Sequence, residues 1–463
     1  MTTGPTQELT TGAIQELLGT LPLIDRFCTV DELHAFIDRL AADRSDVCRL
    51  RRIGTSRLGE PLRLLSVGHG RRNALVVGGP HPNEPVGLLT VQHLAQLVAD
   101  TPALRDGADL TWHFIPCLDP DGTRLNEGWL DGPYTLRHYH TEFYRPGFAD
   151  QPEWTFPVTD DAAWFDRMLP ETQALARVID ELRPDFQYSL HNADFGGVFF
   201  ILSRPLPGVA DDLAAIAAAH DVLLSRGSVD TLGWTESGPG VYLMPSAGEL
   251  TAAAARHGTP PDSGLSSSHY AQPHGTTTLI TEVPLWRDAR ANDLTPAGRH
   301  GDVLREAARQ LGADRQELRG LLEQAKPYLV VPTPMRAALA GHLQQSADLA
   351  LAYGAMAGAG QERDATVADA FAARCIVHML RLRGAGLLNR RLGLECAAGN
   401  QPPAVRSALA RTRRLFEDWC ADAERELTAE VHPLRDLVAV QMGAALAVLR
   451  RLGSRHEKDV QRP

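Results

Sequence analysis

From Ile53 to about Trp286 the chain alternates short apolar runs with stretches of helical period, and this alternation restricts it to a sheet with helices packed on its faces. The runs are Leu62 to Val67, Ala74 to Val77, Trp112 to Ile115, Phe186 to Leu190, Val198 to Leu202 and Thr277 to Val283. Helical patterns such as Val86 to Ala99 and Pro170 to Leu182 lie between them. After about Pro296 the texture changes: Ala, Leu and Arg dominate, and helices are expected at roughly 302–325, 334–357, 365–391, 403–429 and 432–452. Three units follow: a helical lead over residues 1–50, an α/β unit over 51–295 and an all-α C-terminal bundle over 296–463. The Ala- and Arg-rich helices could bury a second copy of the chain in a homo-oligomer, although a bundle packing on its own α/β unit is the simpler account.

Several function classes are excluded by composition. A net charge of -11 without any dense Lys/Arg run gives no electrostatic footprint for nucleic acid or an anionic membrane. No apolar run approaches the ~20 residues a spanning helix needs. The opening MTTGPTQELTTGAIQELLGT lacks the basic and apolar regions of a signal peptide, and six cysteines are scattered without CxxC spacing. The expectation is a cytoplasmic protein with reduced thiols acting on a small molecule or peptide.

Chemistry concentrates in Leu75-Val76-Val77-Gly78-Gly79-Pro80-His81-Pro82-Asn83-Glu84-Pro85-Val86-Gly87, where an apolar strand runs into a Gly-Gly turn, His-x-x-Glu and a helix beginning near Val86. Ends of strands are where sites collect in open α/β sheets. Imidazole and carboxylate together suit zinc, and a catalytic zinc keeps three protein ligands and an open position. Asp185 to Asn192 offers a third ligand, because its strand ends on His191, and Gly196-Gly197 beyond it would let backbone approach a ligand. Thr277 to Pro284 is a strand carrying Glu282 among apolar neighbours, a costly place for a carboxylate unless it meets a cation, a water on a metal or a substrate.

The order His-x-x-Glu, Asp-Pro-Asp-Gly at Asp119 to Gly122, strand-end His and strand Glu resembles the zinc carboxypeptidase superfamily over roughly residues 50 to 290. The resemblance implies a mixed sheet flanked by helices and one zinc per chain on His81, Glu84 and His191. It makes Glu282 the general base in hydrolysis of the C-terminal amide bond of a peptide or small peptide-like substrate with a free carboxylate. It also calls for an arginine at the oxyanion and another on the substrate carboxylate. Arg137 is the candidate for the first, with Arg124 in reserve. Arg145 is the candidate for the second, with Tyr144 beside it where the family has Asn. Asn192 and Tyr270 complete the expected substrate-binding set, Tyr242 being the other tyrosine considered. His269 and His274 flank the same stretch as Tyr270, with solvated loop positions as the default.

Three details are also similar to the aspartoacylase and succinylglutamate desuccinylase branch: Asn83-Glu84-Pro85-Val86-Gly87, Leu190-His191-Asn192 and the short Arg137 to Arg145 spacing. They make N-acyl amino acid deacylation the alternative activity. Side-chain preference is expected to reside in about Ser228 to Pro273.

Overall fold

The apolar runs pair into one ten-stranded sheet whose central strands are buried on both faces, as continuous apolar sequence requires. The computed structural model describes residues 10–159, 164–227, 231, 233–250, 263–358 and 363–460. Its strands are β1 (Cys48–Thr55), β2 (Pro61–Val67), β3 (Arg72–Val77), β4 (Leu110–Ile115), β5 (Val158–Thr159), β6 (Trp164–Phe165), β7 (Phe186–Gly196), β8 (Phe199–Leu202), β9 (Thr235–Gly238), β10 (Val241–Leu243), β11 (Thr277–Arg287), β12 (Pro296–Arg299), β13 (Asp364–Thr366) and β14 (Glu430–Val431). Across the large sheet the order is β1-β2-β4-β3-β7-β11-β8-β10-β9, with β14 added to β11. The pairs β4/β3, β3/β7 and β7/β11 are parallel, whereas β1/β2, β2/β4 and β11/β8 are antiparallel, so the sheet is mixed.

Register decides what the sheet can do. Val77, the last residue of β3, pairs with Ser189, and His191 pairs with Glu282, so these two mid-strand residues of β7 and β11 lie just beyond the carboxyl end of β3. The Val86–Asp100 helix leaves that end and crosses back to β4, with Val86, Leu89, Leu94 and Val98 buried against the sheet.

The sequence reading departs from the structure at two places. Residues Cys48 to Leu50, assigned to a helical lead, open β1, an edge strand whose arginines face water and disguise its alternation. Short strands also occur after Pro296: β12 pairs with β13, and β14 pairs with Trp286 and Arg287 of β11. At two to four residues each, they have no apolar run to announce them.

Beyond residue 300, four helices pack on one another: His300–Ala325, Met335–Gly358, Val367–Ala397 and Pro403–Glu426. A Thr366/Asp369 capping box starts the third, satisfying two backbone donors at its N-terminus. This helix also reaches the Leu136–Glu142 helix, where Gly386 is required because a Cβ there would stand 2.0 Å from the His140 carbonyl oxygen. The fifth helix, Leu434–Val460, packs on the Val86–Asp100 and Val209–Ala219 helices and on β11. Leu437 to Val440 and Ala444 to Val448 are buried on every side of it, the pattern of an enclosed helix. No described helix is long and apolar enough to cross a membrane.

Candidate active site

After Val77 the chain must turn sharply to bring His81 and Glu84 over the sheet edge. Gly79 provides the turn with φ of 55°, a conformation that costs other residues energy. His81 and Glu84 then sit in the short connection before the Val86–Asp100 helix, whereas His191 is the sixth of the eleven residues of β7, so the strand does not end on it as its apolar run suggested. One ligand atom from each of these three lies within 4.8 Å of the others, and all three residues are buried. The imidazoles meet edge to face at 4.8 Å between ring centres.

Charge around this group is unbalanced toward the negative. His191 Nδ1 is 3.1 Å from Glu84 Oε2 and 3.5 Å from Glu282 Oε1. Burial works to lower the His191 pKa, but the Glu84 hydrogen bond and the Glu84, Glu282 and Glu153 charges overcome it and raise it to about 9. His81 is held well below its ordinary value by burial and then by the Arg145 charge, so it is neutral, and its buried Nδ1 has no hydrogen-bond partner. A neutral imidazole nitrogen without a partner, a carboxylate and a second imidazole in a negative field fit a divalent ion with nitrogen and oxygen ligands.

Other side chains fix these ones in place. Arg145 Nη1 donates to Glu84 Oε1 at 2.6 Å and to Asn83 Oδ1 at 3.3 Å. The Asn192 backbone N–H donates to Glu84 Oε2 at 3.4 Å, while its side-chain oxygen accepts from the Val86 N–H at 3.3 Å. Gln441, on the Leu434–Val460 helix, donates to the His191 carbonyl at 2.6 Å and accepts from Thr90 Oγ1 at 2.6 Å.

The cluster opens into a cavity of about 390 Å³. One side is strand and loop: Phe199, Ile201, Trp234, Met244 and Ile280, with Glu282 at the mouth of the ligand group. The other is a single face of the Val367–Ala397 helix, whose Phe371, Cys375, Met379 and Arg383 recur every four residues. Arg383 is buried, donates to Asp194 Oδ2 at 2.8 Å, and lies 4.9 Å over the Phe143 ring. Tyr139 donates to the other Asp194 oxygen at 3.0 Å. Glu153 also lines the cavity; burial pushes its carboxyl up to about 7 against the pull of His191 and Ser267.

The expected substrate-binding set is therefore only partly assembled. His81, Glu84, His191, Glu282, Arg145 and Asn192 converge on the cavity. Arg137 does not: it lies on the outer side of its short helix and pairs with Glu417 and Glu424. The reserve Arg124 is held by Glu60 and Asp31. Tyr144 is packed in the core with its backbone bonded to Asn126. Tyr270 donates to Asp180 and packs on Phe156, and Tyr242 packs on Phe199. His269, taken as a solvated loop residue, is buried and lines the cavity, whereas His274 pairs with Asp180 outside it. Gly196 lines the cavity, whereas Gly197 serves the protein itself, because a Cβ on it would stand 2.5 Å from the Leu223 carbonyl oxygen. Within the segment expected to set side-chain preference, residues 228–230, 232 and 251–262 lie outside the described residues, while Trp234, Met244, Leu250, Ser266 and His269 do line the cavity.

Arg383 and Glu153 were missed. Glu153 could have been suspected from its apolar setting in Gln151-Pro152-Glu153-Trp154, but nothing local marks Arg383 among the many arginines of the C-terminal helices.

Residues 33–194 match the zinc carboxypeptidase family, a class of zinc-dependent hydrolases. A stretch of 97 residues is 27% identical to carboxypeptidase B of Astacus astacus, covering 20% of this chain and 32% of that enzyme, so the match spans about a third of the relative's length. Among solved structures, the carboxypeptidase A of Helicoverpa armigera is similar at 15% identity and a TM-score of 0.38, with 76% of this chain and 81% of that one covered. The murein-tripeptide amidase of Escherichia coli O157 is similar at 18% identity and a TM-score of 0.28, with 51% and 88% covered.

Proposed function

We propose that the chain is a zinc metallocarboxypeptidase that hydrolyses the C-terminal amide bond of a short peptide or peptide-like substrate, with His81, Glu84 and His191 holding the metal and Glu282 acting as base. The observation that carries this reading is the convergence of three candidate ligand atoms within 4.8 Å of one another, with Glu282 3.5 Å from His191, at one end of a cavity. Zinc at such a site supplies Lewis acidity and brings the pKa of a water toward neutrality. The Glu282 carboxylate accepts a proton from the attacking water and returns it to the leaving nitrogen, so that neither charged amide nor free hydroxide is needed. Arg145, beside the ligand group, replaces Arg137 as the donor facing the developing oxyanion. Arg383, the other cavity arginine among the described residues, is our candidate partner for the substrate carboxylate.

The size of the cavity favours a second reading. A space of about 390 Å³ walled by the Val367–Ala397 helix suits a small ligand, and N-acyl amino acid deacylation uses the same chemistry on one. Turnover by the zinc-loaded protein on short peptides with free C-termini, against N-acyl amino acids, separates the two. Hydrolysis of the peptides supports the carboxypeptidase; hydrolysis of N-acyl amino acids alone replaces it with the deacylase.

A further inference from the structure

Among the described residues four carboxylates line the cavity, and three are engaged with groups already assigned. Glu84 meets His191 and Arg145, Asp194 meets Arg383 and Tyr139, and Glu282 lies beside His191. Glu153 is different. Its side chain is 1% exposed, and Oε1 accepts from the Ser267 hydroxyl at 2.8 Å and from the Ser267 N–H at 3.2 Å. Its Oε2 is buried with no hydrogen-bond partner, and no ion pair to Glu153 occurs among the described residues. A carboxylate kept out of water with one oxygen unmatched is costly unless a ligand completes it.

Two features point to a cation as that ligand. The neighbouring Trp154 and Phe148, edge to face at 6.1 Å, line the same cavity and offer aromatic surface of the kind that accepts an ammonium or its methylene stem. Glu153 is also outside the His81, Glu84 and His191 group able to hold a metal, so the cation considered for it is an organic one. We propose that Glu153 seats a primary ammonium group of the substrate, so that the amides this site takes carry a positive charge as well as the reacting bond. This rests on the hydrolytic reading above and narrows its substrate class. A buried water in place of the ammonium is the competing occupant, and it would confer no preference among substrates.

The test uses the zinc-loaded full chain and two matched pairs of probes. Hippuryl-lysine and its Nε-acetyl form place or remove an ammonium on the leaving residue; alanyl-phenylalanine and its N-acetyl form do so on the acyl half. The wild type is expected to prefer the free amine in one pair by about tenfold in kcat/KM, the size of one charge-assisted hydrogen bond. Glu153→Gln should bring that ratio close to one while the acetylated member keeps its rate. Turnover without preference in either pair overturns the ammonium site, as does an equal loss on both members in Glu153→Gln, which marks a structural role. If that variant does not fold, n-butylamine decides: competitive inhibition of the wild type supports the site, and its absence overturns it. No turnover of any of the four probes overturns the hydrolytic reading itself and this inference with it.

Discussion

Glu282 and His191 are register partners on adjacent parallel strands, so the spacing between the proposed base and a ligand is set by backbone hydrogen bonds and not by loop packing. Glu282→Gln keeps the shape and removes the proton acceptor. It is expected to lower kcat by about 10³-fold, within the range for a general base, with substrate KM nearly unchanged in steady-state assays. Asp119 makes a pH prediction away from the ligands. Burial raises its carboxyl to about 7, against the pull of Arg57 and the Gly122 N–H. The folded state therefore holds this proton more tightly than the unfolded state, so stability is fullest below about pH 4 and declines as pH rises through 7. Asp119→Asn, which can still cap the Pro120–Arg124 turn, should flatten that decline in denaturant titrations between pH 5 and 8. At this scale the convergence of the three candidate ligands was legible because each lies just past or within an apolar strand. The arginines were not, because a long side chain acts where its far end lands. Arg137 and Arg145 look alike in sequence, yet one reaches Glu417 across the surface and the other Glu84 in the cavity.

Among the elements, the Leu434–Val460 helix is tied to the site through one residue. Gln441 bridges Thr90 and the carbonyl of His191, and its own carbonyl accepts from the Tyr188 hydroxyl. Gln441→Leu strands both partners in a buried place and should cost about 1–3 kcal/mol per unmatched group in thermal or chemical unfolding, with weaker zinc retention because β7 loses its backing. The Val367–Ala397 helix makes the corresponding prediction for substrate: Arg383→Gln should raise KM for substrates with a free carboxylate by about tenfold or more while leaving the corresponding carboxamides unaffected. Helical period predicted that both helices exist and nearly where they start, although they run on past the expected ends to Ala397 and Val460. What each packs against was not legible, since Ala-, Leu- and Arg-rich helices carry no mark of their partner, and β1 was hidden by arginines on its open face.

For the molecule as a whole, the α/β unit supplies the proposed ligands and base, and the helical region supplies the opposite wall and, among the described residues, one of the two cavity arginines. Removal of residues 434–463 would expose the face of the sheet that the last helix covers, and is expected to yield chain that aggregates or is rapidly proteolysed. The sequence order of the four chemical motifs made this class legible without the helical region, whose contribution depends on contacts between Arg383 and Asp194 across 189 positions of chain. The central claim is that His81, Glu84 and His191 hold one zinc. Zinc content per chain after dialysis against zinc and gel filtration tests it directly. The account predicts one equivalent in the wild type and in Glu282→Gln, and none in His191→Ala; wild type that takes up no zinc, or His191→Ala that retains a full equivalent, would contradict it.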